Sequence, residues 1–241
     1  MPEAPSLVLV TRSEPGATRF TDDLRNGLHP LTNYQIIKAP MTTIVPVPRK
    51  DERLERPTGL LITSPQALGF ALPEEKLPVF AVGEASASAA RALGFPVASV
   101  GPGQVSAAFL DSIPQDEVLL HLSGQHLSQN LAAAFAERGV RYIRQIVYDA
   151  RPVNAWPPSA DAFLTDVGNK IVTFLSARAA QTFAKLMERK LASSVDPIIT
   201  AICASQRIAD AAAEQFPFSN CHITGSTDAS SFVDFIRTGR T

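Results

Sequence analysis

The stretches VFAVGEASASAARALGFP (Val79–Pro96) and ITAICASQRIADAAAEQFP (Ile199–Pro217) read alike. Each is a short apolar strand, a turn of small residues, and an alanine-rich helix that stops at Phe-Pro. Working outward, the likeness spreads. GLLITSPQAL before the first stretch matches KIVTFLSARAAQTF before the second, with Ser64 and Ser176 in equivalent places. After the stretches, GPGQVSAAFLDSI matches TGSTDASSFVDFI. Residues 59–113 and 170–238 therefore read as two copies of one unit of three strands, each followed by a helix. Short apolar runs alternating with helical patterns favour a parallel sheet.

The remaining segments match as well. LVLVTRSEPGATRFTDDLRNG resembles VLLHLSGQHLSQNLAAAFAERG, and each is followed by a strand, YQIIKA or YIRQIVY. Ser13 is the expected cap of the first helix, and Gly27 and Gly139 are expected as helix-ending glycines. The order is A, B, A′, B′, and four matches in one order argue for duplication.

Two proline-rich stretches decide which pieces pack together. MTTIVPVPRKDERLERP lies between A and B, and DARPVNAWPPSADAF lies between A′ and B′. No such stretch separates B from A′. Linkers fall where few contacts cross. The fold class expected is therefore α/β, with two parallel-sheet, three-layer domains that are duplicated, one of them discontinuous, joined by a two-stranded linker. The outer domain is expected over 1–40 plus 155–241 and the inner domain over 58–147. The linkers are 41–57 and 148–154. A cleft and relative movement of the domains are expected from two cores joined by two segments.

Composition narrows the function classes. With 45% hydrophobic residues in 241, the chain can bury ample core without a disulfide or metal. A net charge of −1 argues against a large nucleic-acid footprint. Cys203 and Cys221 lack metal-ligand spacing and read as reduced thiols, which fits a cytoplasmic protein. The start of the chain lacks the pattern of a secretory signal, and no apolar run reaches membrane-spanning length. VGPGQVSAA lacks the third glycine of a dinucleotide fingerprint and reads as a turn before a helix. His121 and His126 are five positions apart, off the spacing a helix uses to bind a metal, and read as structural.

The recurring polar feature is a small hydroxyl residue at each strand end: Thr11 and Ser13, Thr63 and Ser64, Ser86, Ser123, Ser176, Ser205. Ligands of parallel α/β sheets bind outside these ends, and free helix N–H groups there attract anions. Capping alone would also explain any one of them. Arg12 follows a strand end, where a cation could meet an anion or solvent. Tyr148, in IVYDARP, could pack between domains or present a phenol to the cleft.

Together LVLVTRSEPGA, LLITSPQAL, VFAVGEASASAARALGF, HLSGQ, IVYDARP, VTFLSARAAQTF and AICASQRIADAA resemble the uroporphyrinogen-III synthase family, over nearly the whole chain. The resemblance implies two α/β domains, one built from both chain ends. It implies a cofactor-free, metal-free hydro-lyase of tetrapyrrole biosynthesis acting on hydroxymethylbilane. The hydroxyl of ring A leaves as water, ring D attacks through its substituted α-carbon, and a spiro intermediate recloses with ring D inverted. Unassisted closure gives the uninverted type I isomer. Tyr148 matches the family tyrosine that assists departure of the hydroxyl. Arg12, Ser64, Gly83, Ser86, Ser123, Gly124, Ser176 and Ser205 are the candidate substrate-binding residues. Cys203 replaces a family glycine, Gln206 replaces a common threonine, and the helix after HLSGQ lacks a common arginine. The expected partner is the linear tetrapyrrole alone, bound by a monomer, with no nucleic acid and no membrane. The alternative is a non-catalytic two-domain ligand-binding or sensory protein.

Overall fold

The computed structural model describes residues 5–49, 55–72, 76–127, 130–191 and 198–238. Part of the first expected linker (50–54) and part of the segment after HLSGQ (128–129) lie outside them. Contacts divide the chain into two compact units, Met1–Ile44 with Arg151–Thr241, and Val45–Ala150.

The discontinuous unit contains β1 (Ser6–Val10), α1 (Gly16–Leu28) and β2 (Tyr34–Lys38) from the start of the chain. The continuous unit follows the strand β3 (Thr42–Pro46) with β4 (Gly59–Ile62), β5 (Val79–Ala81), α2 (Glu84–Ala92), β6 (Val97–Val100) and α3 (Ala107–Asp111). It continues with β7 (Val118–Gly124), α4 (Ala132–Ala136) and β8 (Arg141–Pro152). The chain then returns through α5 (Asp161–Thr165), β9 (Asn169–Phe174), α6 (Ala177–Leu191), β10 (Ile199–Cys203), α7 (Gln206–Ala213), β11 (Asn220–Ile223) and α8 (Ala229–Thr238).

One sheet has the order β11-β10-β9-β1-β2; the other runs β6-β5-β4-β7-β8 with β3 beside β8. Each set of five places the three strands of a B segment beside the two of an A segment, in the same order. All the registered pairs are parallel. The central strands are apolar runs because helices cover both faces. Leu7, Val8, Leu9 and Val10 are all fully buried, as are Leu60, Leu61 and Ile62. In the discontinuous unit α1 packs on α8, with the Phe20 and Phe232 rings edge to face at 5.2 Å, and α6 packs on α7. In the continuous unit, one sheet face buries Leu60, Ile62, Leu120 and Val147, and the other buries Leu61, Phe80, Leu119 and Phe135.

Several local expectations are corrected. Gly27 does not end a helix; it lies inside α1, where an added Cβ would come within 2.7 Å of Val233 Cγ2. Its small size lets α1 approach α8. Gly139 does take the left-handed conformation, at φ +71°. Ser13 does not cap α1 with its side chain; the Glu14 carboxylate accepts the Thr18 N–H at 3.0 Å instead. The last strand of the continuous unit does not stop at Tyr148 but runs on to Pro152. The reason is its neighbour β3: Val47 N–H donates to Val147 O, and Val153 N–H donates to Met41 O. As one chain advances the other recedes, so these two are antiparallel. GPGQVSAA is a turn before a helix, with Ser106 Oγ accepting the Phe109 N–H at 3.2 Å. Among the described residues no helix is long and apolar enough to cross a membrane.

One titratable chain is buried in the continuous unit. His121, on β7, has no exposed surface. Its Nε2 lies 3.0 Å from Thr63 Oγ1 and its Nδ1 lies 2.6 Å from the Tyr142 hydroxyl. Either donor order satisfies both nitrogens of a neutral imidazole. Burial, aided by the Arg144 charge, lowers the His121 pKa from 6.5 to about 4. The same burial raises the Tyr142 phenol to about 12. The unfolded chain therefore takes up this proton first as pH falls. The neutral histidine's contribution is complete above pH 6.5 and is lost progressively toward pH 4. The loss should reach about 2–3 kcal/mol by about pH 4.5. Urea unfolding at about pH 7 and about pH 4.5 should show a smaller drop for His121→Gln than for the natural chain; equal drops would contradict the assignment.

Candidate active site

In the continuous unit the candidate residues lie at the C-terminal ends of β4, β5 and β7, and Tyr148 lies on β8 beside Gly124 at the end of β7. Along β8, Ile143 and Val147 pack on one face of the sheet and Tyr142 on the other. Strict alternation would send Tyr148 to the Tyr142 face. The register instead slips: Ser123 pairs with Ile146, but the next residue, Gly124, pairs with Tyr148. Val147 is the extra residue of a bulge, and bulges re-aim side chains. Tyr148 thus joins the Ile143 and Val147 face, where its ring stacks on Phe70 at 5.8 Å with 19° between planes.

Gly124 supplies the other wall. A Cβ at Gly124 would lie 2.8 Å from Tyr148 Cε2, 2.9 Å from Cζ and 3.1 Å from the hydroxyl oxygen. The phenol therefore lies directly against a bare backbone. Gln125 N–H donates to Tyr148 O at 2.8 Å and ties the two strand ends together. Ser64 does not use its side chain to cap the 3-10 turn Pro65–Phe70. It lies close enough to the Tyr148 phenol to offset part of the burial that raises the tyrosine's pKa. Tyr148 is consequently a neutral O–H donor at neutral pH and above.

Ser123 is buried, and its hydroxyl accepts the Arg144 Nε–H at 3.0 Å. Its side chain serves the turn. Gly83 is the extended residue before α2, and its Cα faces the Gly103 backbone, where a Cβ would come within 2.9 Å. Gly103 N–H donates to Val82 O at 2.8 Å, so the GPG segment folds over this turn. Ser86 is buried in the first turn of α2.

The other three candidates belong to the discontinuous unit. Arg12 follows β1 and is half-buried beside the start of α1; a Cβ on Gly16 would lie 2.5 Å from its Nε. Burial, together with the like charge of Arg19, lowers its pKa. Among the described residues it has no carboxylate partner. Ser176 Oγ accepts the Ala179 N–H at 3.2 Å and so caps α6. Ser205 precedes α7 without a side-chain cap bond, leaving its hydroxyl uncommitted among the described residues. The Gln206 amide is engaged with Asp210 Oδ1 at 2.7 Å. Thr11 and Thr173 spend their hydroxyls on Thr173 O and Leu9 O across β1 and β9. Cys203 ends β10, buried, with its Sγ 3.7 Å from that of Cys221; burial and that neighbour push its pKa up.

Each unit thus presents strand-end turns; among the described residues the discontinuous unit adds Ser205 and Arg12, and the continuous unit a half-buried phenol, Tyr148. Against known proteins, the model of the uroporphyrinogen-III synthase HemD family matches residues 30–230. The chain belongs to the uroporphyrinogen-III synthase family. Among solved structures, the uroporphyrinogen-III synthetase of Helicobacter pylori is 15% identical, with a TM-score of 0.65 over 98% of this chain and 100% of that one. A mutant uroporphyrinogen III synthase of the extremely thermophilic bacterium Thermus thermophilus is 18% identical, with a TM-score of 0.50 over 98% and 99%. At such identities the likeness speaks for the fold. No curated protein matches the chain. Membership of the family leaves the non-catalytic alternative without support.

Neither the bulge nor Phe70 was foreseen from the sequence. The phenylalanine in SPQALGF gives no signal of its own, because only the fold brings β8 over it. Gly124→Ala should force the Tyr148 ring aside and cost about 1–3 kcal/mol, as overpacking does. Adding Tyr148→Ala should recover part of that loss, because the clash disappears. Urea denaturation of the two single variants and the double variant measures this. Strict additivity would show that the ring does not abut Gly124.

Proposed function

We propose that this protein converts hydroxymethylbilane into uroporphyrinogen III with loss of water, using Tyr148 as the proton donor to the departing hydroxyl. The observation that carries the assignment of Tyr148 is its placement: a bulge, a bare glycine and a stacked ring hold one phenol of β8 against the C-terminal end of β7. The unassisted reaction closes the ring without inversion, so the protein must restrict a flexible chain to one geometry. The carboxylates of the tetrapyrrole are taken by strand-end donors. In the continuous unit these are the turns at Ser64, Gly83, Ser86, Ser123 and Gly124. In the discontinuous unit they are Arg12, Ser176 and Ser205. Main-chain N–H groups at helix starts suit this task. Arg12, half-buried and without an acidic partner among the described residues, is a natural counter-ion for one carboxylate. Ser205 rather than Gln206 takes the place of the family threonine, because the Gln206 amide is spent on Asp210.

The proton balance closes on the tyrosine. The O–H of Tyr148 protonates the hydroxyl of ring A, directly or through a water, and the hydroxyl leaves as water. The resulting azafulvenium cation accepts the electron pair of ring D from its substituted α-carbon, while Tyr148 waits as the phenolate. The spiro intermediate reopens and closes with ring D inverted. The proton lost when the last pyrrole regains aromaticity restores the phenol. Protons and electrons balance in these steps with the tyrosine as the only acid and base.

We place the protein in the cytoplasm as a monomer acting on a free small molecule, without nucleic acid. A net charge of −1 offers no surplus of cations to a phosphate backbone, and Cys203 and Cys221 stand as free thiols.

Incubation with freshly generated hydroxymethylbilane and separation of the I and III isomers tests the reading. Type III should dominate; type I alone would refute it. Tyr148→Phe keeps the ring stacked on Phe70 and removes only the hydroxyl. The rate should fall by about 10²-fold, the lower end of general-acid contributions. Because burial raises the phenol's pKa above its ordinary value of 10.0, the donor form persists beyond that pH. The alkaline fall in rate should therefore lie above about pH 10 and vanish in Tyr148→Phe. Full activity in that variant would reduce the tyrosine to packing. Arg12→Met should instead raise KM by about tenfold with kcat nearly kept, the signature of lost ground-state binding. A pure kcat effect would assign Arg12 another role.

A further inference from the structure

We infer that Arg144 is a positioning residue for the ring-closing reaction: it fixes the turn against which the Tyr148 phenol is held. The inference rests on the role proposed for Tyr148. Arg144 and Tyr148 lie on the same strand, β8, on opposite sides of the bulge at Val147. Both grip the end of β7. Arg144 Nε donates to Ser123 Oγ at 3.0 Å, and Nη2 donates to Gly124 O and to Gln125 O, each at 2.9 Å. Three successive residues are thus held by one planar guanidinium.

Those same residues form the wall of the phenol. Gly124 is the residue on which an added Cβ would come within 2.9 Å of Tyr148 Cζ and 3.1 Å of its hydroxyl, and Gln125 N–H donates to Tyr148 O. A cation donating to two carbonyls makes charge-assisted bonds, which are stronger and more directional than neutral ones. The fork geometry matters, since a lysine ammonium at the same place is a point charge on a flexible stem. Without Arg144 the two carbonyls can turn to water, because the turn is exposed at Gln125, and Gly124 can then drift from the ring. The fold loses little and the phenol loses its fixed wall.

The interaction is absent from sequence patterns because it runs between two strands that only the fold makes neighbours. It also explains why Ser123, a strand-end serine, is buried: its hydroxyl is an acceptor for the clamp.

A double-mutant cycle separates this role from simple stabilisation. The rate, KM and III-to-I ratio are measured with hydroxymethylbilane for the natural protein, Arg144→Met, Tyr148→Phe and the double variant. Arg144→Met should lower kcat by about tenfold, leave KM within about twofold, and raise the share of type I product. In the Tyr148→Phe background the same change should cost less than about twofold, because the group being positioned is gone. Arg144→Lys, which can keep some of the bonds, should fall between, and it carries the same cycle if Arg144→Met does not fold. An equal cost in both backgrounds, an unchanged kcat, or an effect confined to KM would overturn the inference. A fully active Tyr148→Phe would overturn it as well. A natural protein that forms no type III product would refute the functional reading instead, so the two failures are distinguishable.

Discussion

A parallel strand buried on both faces has almost no room for polar side chains except near its ends. This constraint shapes the whole molecule. β1 and β4 are apolar almost throughout because helices cover both sides of each sheet. Three buried polar side chains in or just beyond the central strands spend their bonds inside the sheet. His121 is neutral and tied to Thr63 and Tyr142; Thr11 and Thr173 are tied to carbonyls across the sheet. The remaining chemistry is pushed to the strand ends, where backbone N–H groups are unpaired and side chains can face a ligand.

The tyrosine shows how the constraint is met at one point. A regular strand would have put Tyr148 on the Tyr142 face, with α3 and α4. One inserted residue, Val147, moves it to the other face, onto Phe70 and beside Ser64. The bulge alone would leave the ring loosely placed. Gly124 permits close contact from β7, and Arg144 holds Gly124 still. Each device is small in sequence: one extra residue, one missing side chain, one arginine. Their effect depends on acting together at the same turn.

These particulars explain what was legible in the sequence. The α/β class was readable because continuous apolar runs, small-residue turns and alanine-rich helices leave strong local signals at Val79–Pro96 and Ile199–Pro217. The candidate residues at the strand ends were readable for the same reason, since position in the repeat located them. What failed were local readings of residues whose role is set by distant partners. Gly27 looked like a helix stop and is a contact with Val233 on α8, at the other end of the chain. Tyr148 looked like a strand end and sits inside a strand that β3 prolongs. For Ser64 and Ser123 the ligand-binding reading stands as proposed, and only their neighbours, a tyrosine and an arginine, were not legible. No periodicity encodes such pairs.

The same reasoning accounts for how little identity accompanies the shared fold. The Helicobacter pylori protein shares 15% of its residues with this chain over nearly its full length. The site proposed here, built chiefly from main-chain N–H groups, would place few demands on side chains, because every residue except proline supplies the donor. What it does demand is that backbone be allowed close to backbone and ring. Gly83 against Gly103 and Gly124 against Tyr148 are two such approaches here, each with no space for a Cβ. Cys203, at the end of β10, lies fully buried beside Cys221, so at this turn the protein accommodates a side chain that packs inward.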